Sequence, residues 1–475
     1  MREEQVELFS LESRTPLRRF DIVGFTLQYE MSYTNILHML ALGGIPVKAA
    51  DRGEEDAIVI AGGPCAANPE PLHLFIDAFL IGDGEDAIAE VTSLLRDCKR
   101  ERLTRAQKLR KLAQVEGVYV PVLYAVEYHK DGTLQSFAPI DASVPAVIRK
   151  RFTADLENAY YPTSPPVPYT QVIHDRIMLE IMRGCTRGCR FCHAGMFYRP
   201  VRERSVEKLL ALAQELVDST GYEEISLSSL SSGDYSRLQE LCERLTEQFK
   251  DQHVSLSLPS LRIDSVLKGS LEQTQAVRKT SLTFAPEAGT QRLRDVINKG
   301  VTQDDLTEKL RDAFENGWNS VKLYFMMGLP TETPEDIEGI AKLAKAAVDT
   351  YYAVPKGRRA KGLRITVSVS VLVPKPFTPF QWCAQDTPET VRDKQQTLRH
   401  LLNIRGVHYN WHDSLTSQLE ACFALGDRRM ADVLYRAYEL GCKLDGWSEH
   451  FRYDLWMQAF RELGIDPAFY ANRAR

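Results

Sequence analysis

Arg183-Gly-Cys-Thr-Arg-Gly-Cys-Arg-Phe-Cys192 places Cys185, Cys189 and Cys192 within eight residues, at the spacing Cys-x3-Cys-x2-Cys. The stretch follows IMLEIM (177 to 182), an apolar run of strand length, so the cysteines fall on a loop at a strand end. Thiolates suit iron-sulfur clusters, and their clustering lets one short loop wrap one cluster. Three ligands for four irons leave one iron open. The same residues leave two other readings, a zinc site completed by His193 and a set of unrelated thiols.

Working downstream from that loop, strand patterns alternate with helical ones. They run RSVEKLLALAQELVDSTG, EEISLSSLSSG, SRLQELCERLTEQFK, VSLSLPSLRI, SLTFAPEAG, DDLTEKLRDAFENG, SVKLYFMMGLP, PEDIEGIAKLAKAAVDTY and ITVSVSVLVPKPFTPF. Six strands over roughly 200 residues predict a partial (β/α)6 barrel at 177 to 385 rather than a closed eight-stranded one. After Trp382 strand signals fade, and 386 to 475 reads as a helical C-terminal region with glycines at the helix stops.

Upstream, residues 1 to 100 have the rhythm of a doubly wound parallel sheet: DIVGFTLQ, SYTNILHMLALGG, DAIVIAGGP and IDAFLIGDGEDAIAEVTSLL. Two turns, Gly62-Gly63-Pro64 and Gly82-Asp83-Gly84-Glu85, follow apolar strands, where open α/β sheets place their ligand crevice. A plain tight turn uses glycine for the same backbone reason. Residues 101 to 176 read as a linker with a small β insertion, its hairpin turn at Asp131-Gly132.

The whole chain has 475 residues, 44% hydrophobic and 26% charged, the composition of a globular protein. A net charge of -5 argues against broad phosphate-backbone binding. No uninterrupted apolar run reaches the ~18 residues of a membrane span, and the N-terminus lacks a signal-peptide core, which places the protein in the cytoplasm. Nine cysteines, an odd count without a secretion signal, read as metal ligation plus free thiols. Of the six outside the loop, Cys383 lies just beyond the last strand pattern and is the candidate for a second functional thiol.

Cys-x3-Cys-x-aromatic-Cys, with Phe191 as the aromatic, resembles the signature of the radical S-adenosylmethionine (SAM) superfamily. The resemblance implies a 4Fe-4S cluster on Cys185, Cys189 and Cys192, an open iron that takes the amino and carboxylate groups of SAM, and reductive cleavage to a 5'-deoxyadenosyl radical. Ser231-Ser232-Gly233-Asp234 occupies the place of the family's Gly-Gly-Glu-like turn for the methionine amino group, and departs from its pattern. Glu287 resembles the acidic residue that meets the SAM ribose or methionyl end. Gly328-Leu-Pro-Thr-Glu332 resembles the adenine-side glycine motif, and Pro374-Lys-Pro-Phe-Thr-Pro-Phe380 closes the pattern as in methylthiotransferase-like members.

Ahead of such a barrel, Ala61-Gly-Gly-Pro64 and Ile81-Gly-Asp-Gly-Glu85 resemble the Rossmann-like domain of B12-binding radical SAM proteins, an uncharacterised bacterial family. This implies cobalamin at Gly62, Gly63, Pro64, Gly82, Gly84 and Glu85, although no Asp-x-His-x-x-Gly segment supplies a cobalt ligand. The domain begins abruptly, as a truncated one would. The expectation is an enzyme that draws on a reducing electron-donor protein to modify an unknown substrate, RNA or a ribosomal component, by methyl or thiomethyl transfer. The alternatives are a non-catalytic iron-sulfur scaffold or redox sensor, and a zinc-stabilised nucleic-acid-binding module.

Overall fold

The computed structural model describes the chain except residues 2, 5, 171, 258 to 281 and 475. Two compact units divide it. The first takes Met1–Ala154, Val373–Phe377 and Gln418–Arg475; the second takes Asp155–Leu372 and Thr378–Ser417.

In the first unit, β1 (Ile22–Thr26), β2 (Ile58–Gly62) and β3 (Ala78–Leu80) pair in parallel, and β4 (Val118–Tyr119) closes the edge antiparallel to β3. This is a short Rossmann-like sheet. β5 (Tyr124–Tyr128) and β6 (Leu134–Pro139) form the expected hairpin, and Gly132 takes the left-handed conformation its turn needs. The core holds Leu37, Val59, Phe75 and Phe79 together with Met430, Leu434, Trp456 and Phe460 from the chain's end. Each such side chain contributes about 1.5–3 kcal/mol when fully buried.

The last helices are therefore not a separate tail. Helices Arg429–Glu439 and Tyr453–Glu462 are amphipathic, and their apolar faces belong to the first unit's core, whereas helix Pro388–Leu401 belongs to the second. In this two-way division the chain leaves the first unit and returns to it.

In the second unit, β7 (Ile177–Glu180) continues into the two-residue β8 (Met182–Arg183), which pairs antiparallel with β9 (Arg202–Glu203). β10 (Glu224–Ser228) lies between β7 and β11 (Ser255–Ser257), all parallel. β12 (Leu282–Glu287), β13 (Ser320–Met327), β14 (Arg364–Val371) and β15 (Val407–Trp411) follow as a second parallel sheet in chain order. The expectation VSLSLPSLRI lies outside the described residues from 258 onward.

This is the sequential parallel order of a partial (β/α) barrel, with one strand more than the six expected. β15 escapes a hydrophobic pattern because none of its five residues is buried; it is an edge strand held by backbone pairing to β14. Alternate residues of β14, Ile365, Val367, Val369 and Val371, are buried and share a core with helix Pro334–Ala353.

Candidate functional site

The cysteine loop leaves β8 at Gly184, whose φ is +89°. A Cβ there would stand 2.8 Å from the Pro200 carbonyl oxygen and 2.9 Å from that of Tyr198, so only glycine brings the two segments together. Cys189 is buried; Cys185 and Cys192 are half-buried. Gly195 N–H donates to Cys192 Sγ at 3.3 Å, as the first turn of helix His193–Phe197 forms. His193 lies against Phe197, ring centroids 5.3 Å apart. The Cys192 thiol is pushed up by burial and by the negative charges of Cys189, Cys185 and Glu287, while the Gly195 N–H works against them. The three cysteines and Glu287 thus share one electrostatic neighbourhood, and coordination to a cation would favour the thiolates.

Loops from three further strands fasten this segment. After β10, Asp234 accepts from Arg187 Nε at 2.9 Å and Nη2 at 2.5 Å. After β12, Asn298 Nδ2 donates to the Gly188 carbonyl at 2.9 Å, and Ile297 O accepts from the Arg190 N–H at 3.0 Å. After β14, the Phe380 N–H donates to Arg190 O at 3.4 Å. Arg199 Nη2 adds a bond to Arg187 O at 3.0 Å. Phe191 packs against Ala288, Leu293, Ile297, Leu329, Leu372 and Phe380, an apolar seam in which Cys383 also takes part. Burial raises the Cys383 thiol.

Glu287 ends β12 at φ +67°, a left-handed conformation rare for a residue with a side chain and common where a site demands it. Lys299 Nζ stands 3.2 Å from its carboxylate. The following Gly289 touches helix Pro334–Ala353 directly: a Cβ there would meet Asp336 O at 2.1 Å. After β13, Gly328 N–H donates to both Glu332 oxygens, at 3.0 and 3.1 Å, and Lys394 bridges Glu332 and Asp386 at 2.6 Å each. Burial raises the Glu332 carboxyl. Burial alone would lower the Lys394 ammonium, but the two carboxylates outweigh it and raise it. Glu332 is therefore engaged in closing its own loop.

In the turn after β10, Ser232 is fully buried and its hydroxyl meets that of Ser229 at 3.0 Å, with Gly233 between it and Asp234. Ser231 Oγ is buried with no hydrogen-bond partner among the described residues, which suits a polar ligand group there. Among the described residues no three His, Cys, Asp or Glu side chains surround one ion position. A four-iron cluster takes each thiolate on a different iron, so the all-thiol loop fits the cluster.

In the first unit, the sequence-expected glycine turns meet that unit's own backbone. Gly63 (φ +98°) is glycine because a Cβ would lie 2.8 Å from Leu27 O, and Gly82 (φ +118°) because a Cβ would lie 1.9 Å from Arg151 O. Gly62 faces Leu80, Pro64 opens a short 3-10 turn, and Gly84 precedes helix Glu85–Arg100. Thr153 reaches Asp83 and Glu85. These turns are packed by the chain itself.

The family described as "Radical SAM superfamily" matches residues 179 to 344, and "Radical SAM proteins, N-terminal" matches residues 1 to 121. An uncharacterised protein of Methanocaldococcus jannaschii is 30% identical over 467 residues, 98% of this chain and 91% of that protein. Ribosomal protein uS12 methylthiotransferase RimO of Thermotoga maritima is 21% identical over 323 residues, 64% of this chain and 73% of the relative. A structure of the radical SAM methyltransferase TsrM from Kitasatospora setae, with cobalamin and a 4Fe-4S cluster bound, gives a TM-score of 0.49 at 14% identity over 77% of this chain and 66% of that one. No helix among the described residues is long and apolar enough to cross a membrane. With its cysteine loop inside the matched region and a relative spanning nearly its whole length, the chain belongs to the radical SAM superfamily of enzymes, whose cofactors are SAM and a 4Fe-4S cluster.

Proposed function

We propose that this enzyme cleaves SAM reductively and modifies an RNA or a ribosomal component by methyl or thiomethyl transfer, its electron coming from a reducing donor protein. One observation carries the reading: loops following β10, β12 and β14 all fasten a single three-cysteine loop. The loops that follow barrel strands are where such folds build their active sites. Cys185, Cys189 and Cys192 would hold the cluster, which would supply the electron for reductive cleavage of SAM.

The chain's own residues bind and orient. Glu287, ion-paired with Lys299 at 3.2 Å, accepts hydrogen bonds from the ribose or methionyl end. Ser231 Oγ offers a hydrogen bond in the turn after β10. The seam around Phe191 packs apolar side chains against the loop. The substrate class is supported by the name of the Thermotoga relative, a methylthiotransferase of ribosomal protein uS12.

Cobalamin, which the TsrM structure carries, is a further cofactor that the resemblance implies. Two of the glycines assigned to it, Gly63 and Gly82, lie against Leu27 O and Arg151 O of the same unit, and no step is routed through it.

The test is anaerobic reconstitution with iron and sulfide, addition of a strong reductant and SAM, and chromatography for 5'-deoxyadenosine. Detection supports the enzyme; a full cluster with no product in the presence of candidate ribosomal substrates would favour a redox sensor instead.

A further inference from the structure

The turn after β10 holds an acid where the family resemblance expects a SAM contact, yet both oxygens of that acid are already engaged. Asp234 Oδ2 accepts from Arg187 Nε at 2.9 Å and Oδ1 from Nη2 at 2.5 Å, and the Asp234 side chain is only 9% exposed. A guanidinium fork facing a carboxylate fixes direction as well as distance. Arg187 is the middle residue of the three that separate Cys185 from Cys189.

We propose that Asp234 is a positioning residue that sets the Cys185–Cys189 segment through Arg187, and is not a ligand of SAM. The inference rests on the cluster reading above and assigns a role within it. The backbone on either side is tied as well, with Arg187 O held by Arg199 and Gly188 O by Asn298. The approach is close: a Cβ at Gly188 would stand 2.8 Å from Asn298 Nδ2. With the carbonyls of 187 and 188 both held, the Arg187 side chain fixes the rotation of the segment, and hence where the two thiolates face. With the fork in place and its side chain only 9% exposed, Asp234 has little open surface left to offer an ammonium group.

The pair predicts a linked phenotype. The full-length chain, reconstituted anaerobically, is compared as wild type, Asp234→Asn, Arg187→Gln, the double variant, and the exchange Arg187→Asp with Asp234→Arg. Two quantities are read: the rate at which a chelator removes iron without SAM present, and the equilibrium dissociation constant of SAM measured by dialysis. Each single variant should lose iron about tenfold faster, the size of one lost charge-assisted pair, and the double variant no faster than either. The exchange should recover part of the loss, which a general folding defect would not do.

The proposal is overturned if Asp234→Asn weakens SAM binding about tenfold or more while Arg187→Gln leaves it unchanged and neither alters iron loss. It is overturned also if the single effects add in the double variant. A wild-type chain that takes up no labile sulfide would instead overturn the cluster reading itself, so the two failures are told apart.

Discussion

Two places in this chain have the same sequence character, a tight loop that follows a parallel strand and carries conformationally special residues. The loop after β7 and β8 holds three thiols beside Glu287 and is fastened by segments following three other strands. The turns after β2 and β3 hold glycines whose missing side chains make room for Leu27 and Arg151 of the same unit. The difference teaches that a thiolate at fixed spacing speaks to a ligand, whereas a glycine speaks only to whatever approaches its backbone, which is as readily the chain as a cofactor.

That contrast is broken most directly at the cysteines. Cys185→Ala, Cys189→Ala and Cys192→Ala should each bring SAM cleavage to background and remove most bound iron and sulfide, read by metal analysis and 5'-deoxyadenosine chromatography. Full cleavage in any one variant would remove that residue from the ligand set. In the first unit the loss should be of stability instead. Gly82→Val forces a side chain onto Arg151 O at a left-handed φ, and should cost about 3 kcal/mol in denaturant unfolding, with the iron content of the surviving folded protein unchanged.

Two smaller effects sharpen the comparison. Glu287→Gln keeps the shape but not the charge, and should weaken SAM binding about tenfold while leaving iron content intact. Unchanged SAM affinity would make Glu287 a partner of Lys299 alone. Gly195→Pro removes the N–H that donates to Cys192 Sγ. Since that bond favours the more negative, reduced cluster, its loss should lower the midpoint potential in a redox titration followed by electron paramagnetic resonance.

Much of this was legible in the residues themselves. Cys185, Cys189 and Cys192 declare their chemistry by falling within eight residues, and the buried alternation of β14 shows in VSVSV. β15 did not show, because an edge strand with no buried side chain leaves no hydrophobic period to read. The fastenings of the cysteine loop were equally hidden. Arg187 and Asp234 lie 47 positions apart and Gly188 and Asn298 110 positions apart, so no local pattern connects them. Glu332 read as part of an adenine-side motif, but its carboxylate is used by Gly328 and Lys394.

The sequence by itself determined the three-cysteine loop, the alternating strand and helix order and the presence of late amphipathic helices, because these depend on side-chain chemistry and short-range period. Only the tertiary structure decided that the helices from Gln418 onward complete the core of the first unit, that its glycine turns are packed by its own backbone, and that Asp234 faces Arg187. Those outcomes depend on which distant surfaces meet. An amphipathic face or a lone carboxylate carries no mark of its partner until the chain has folded.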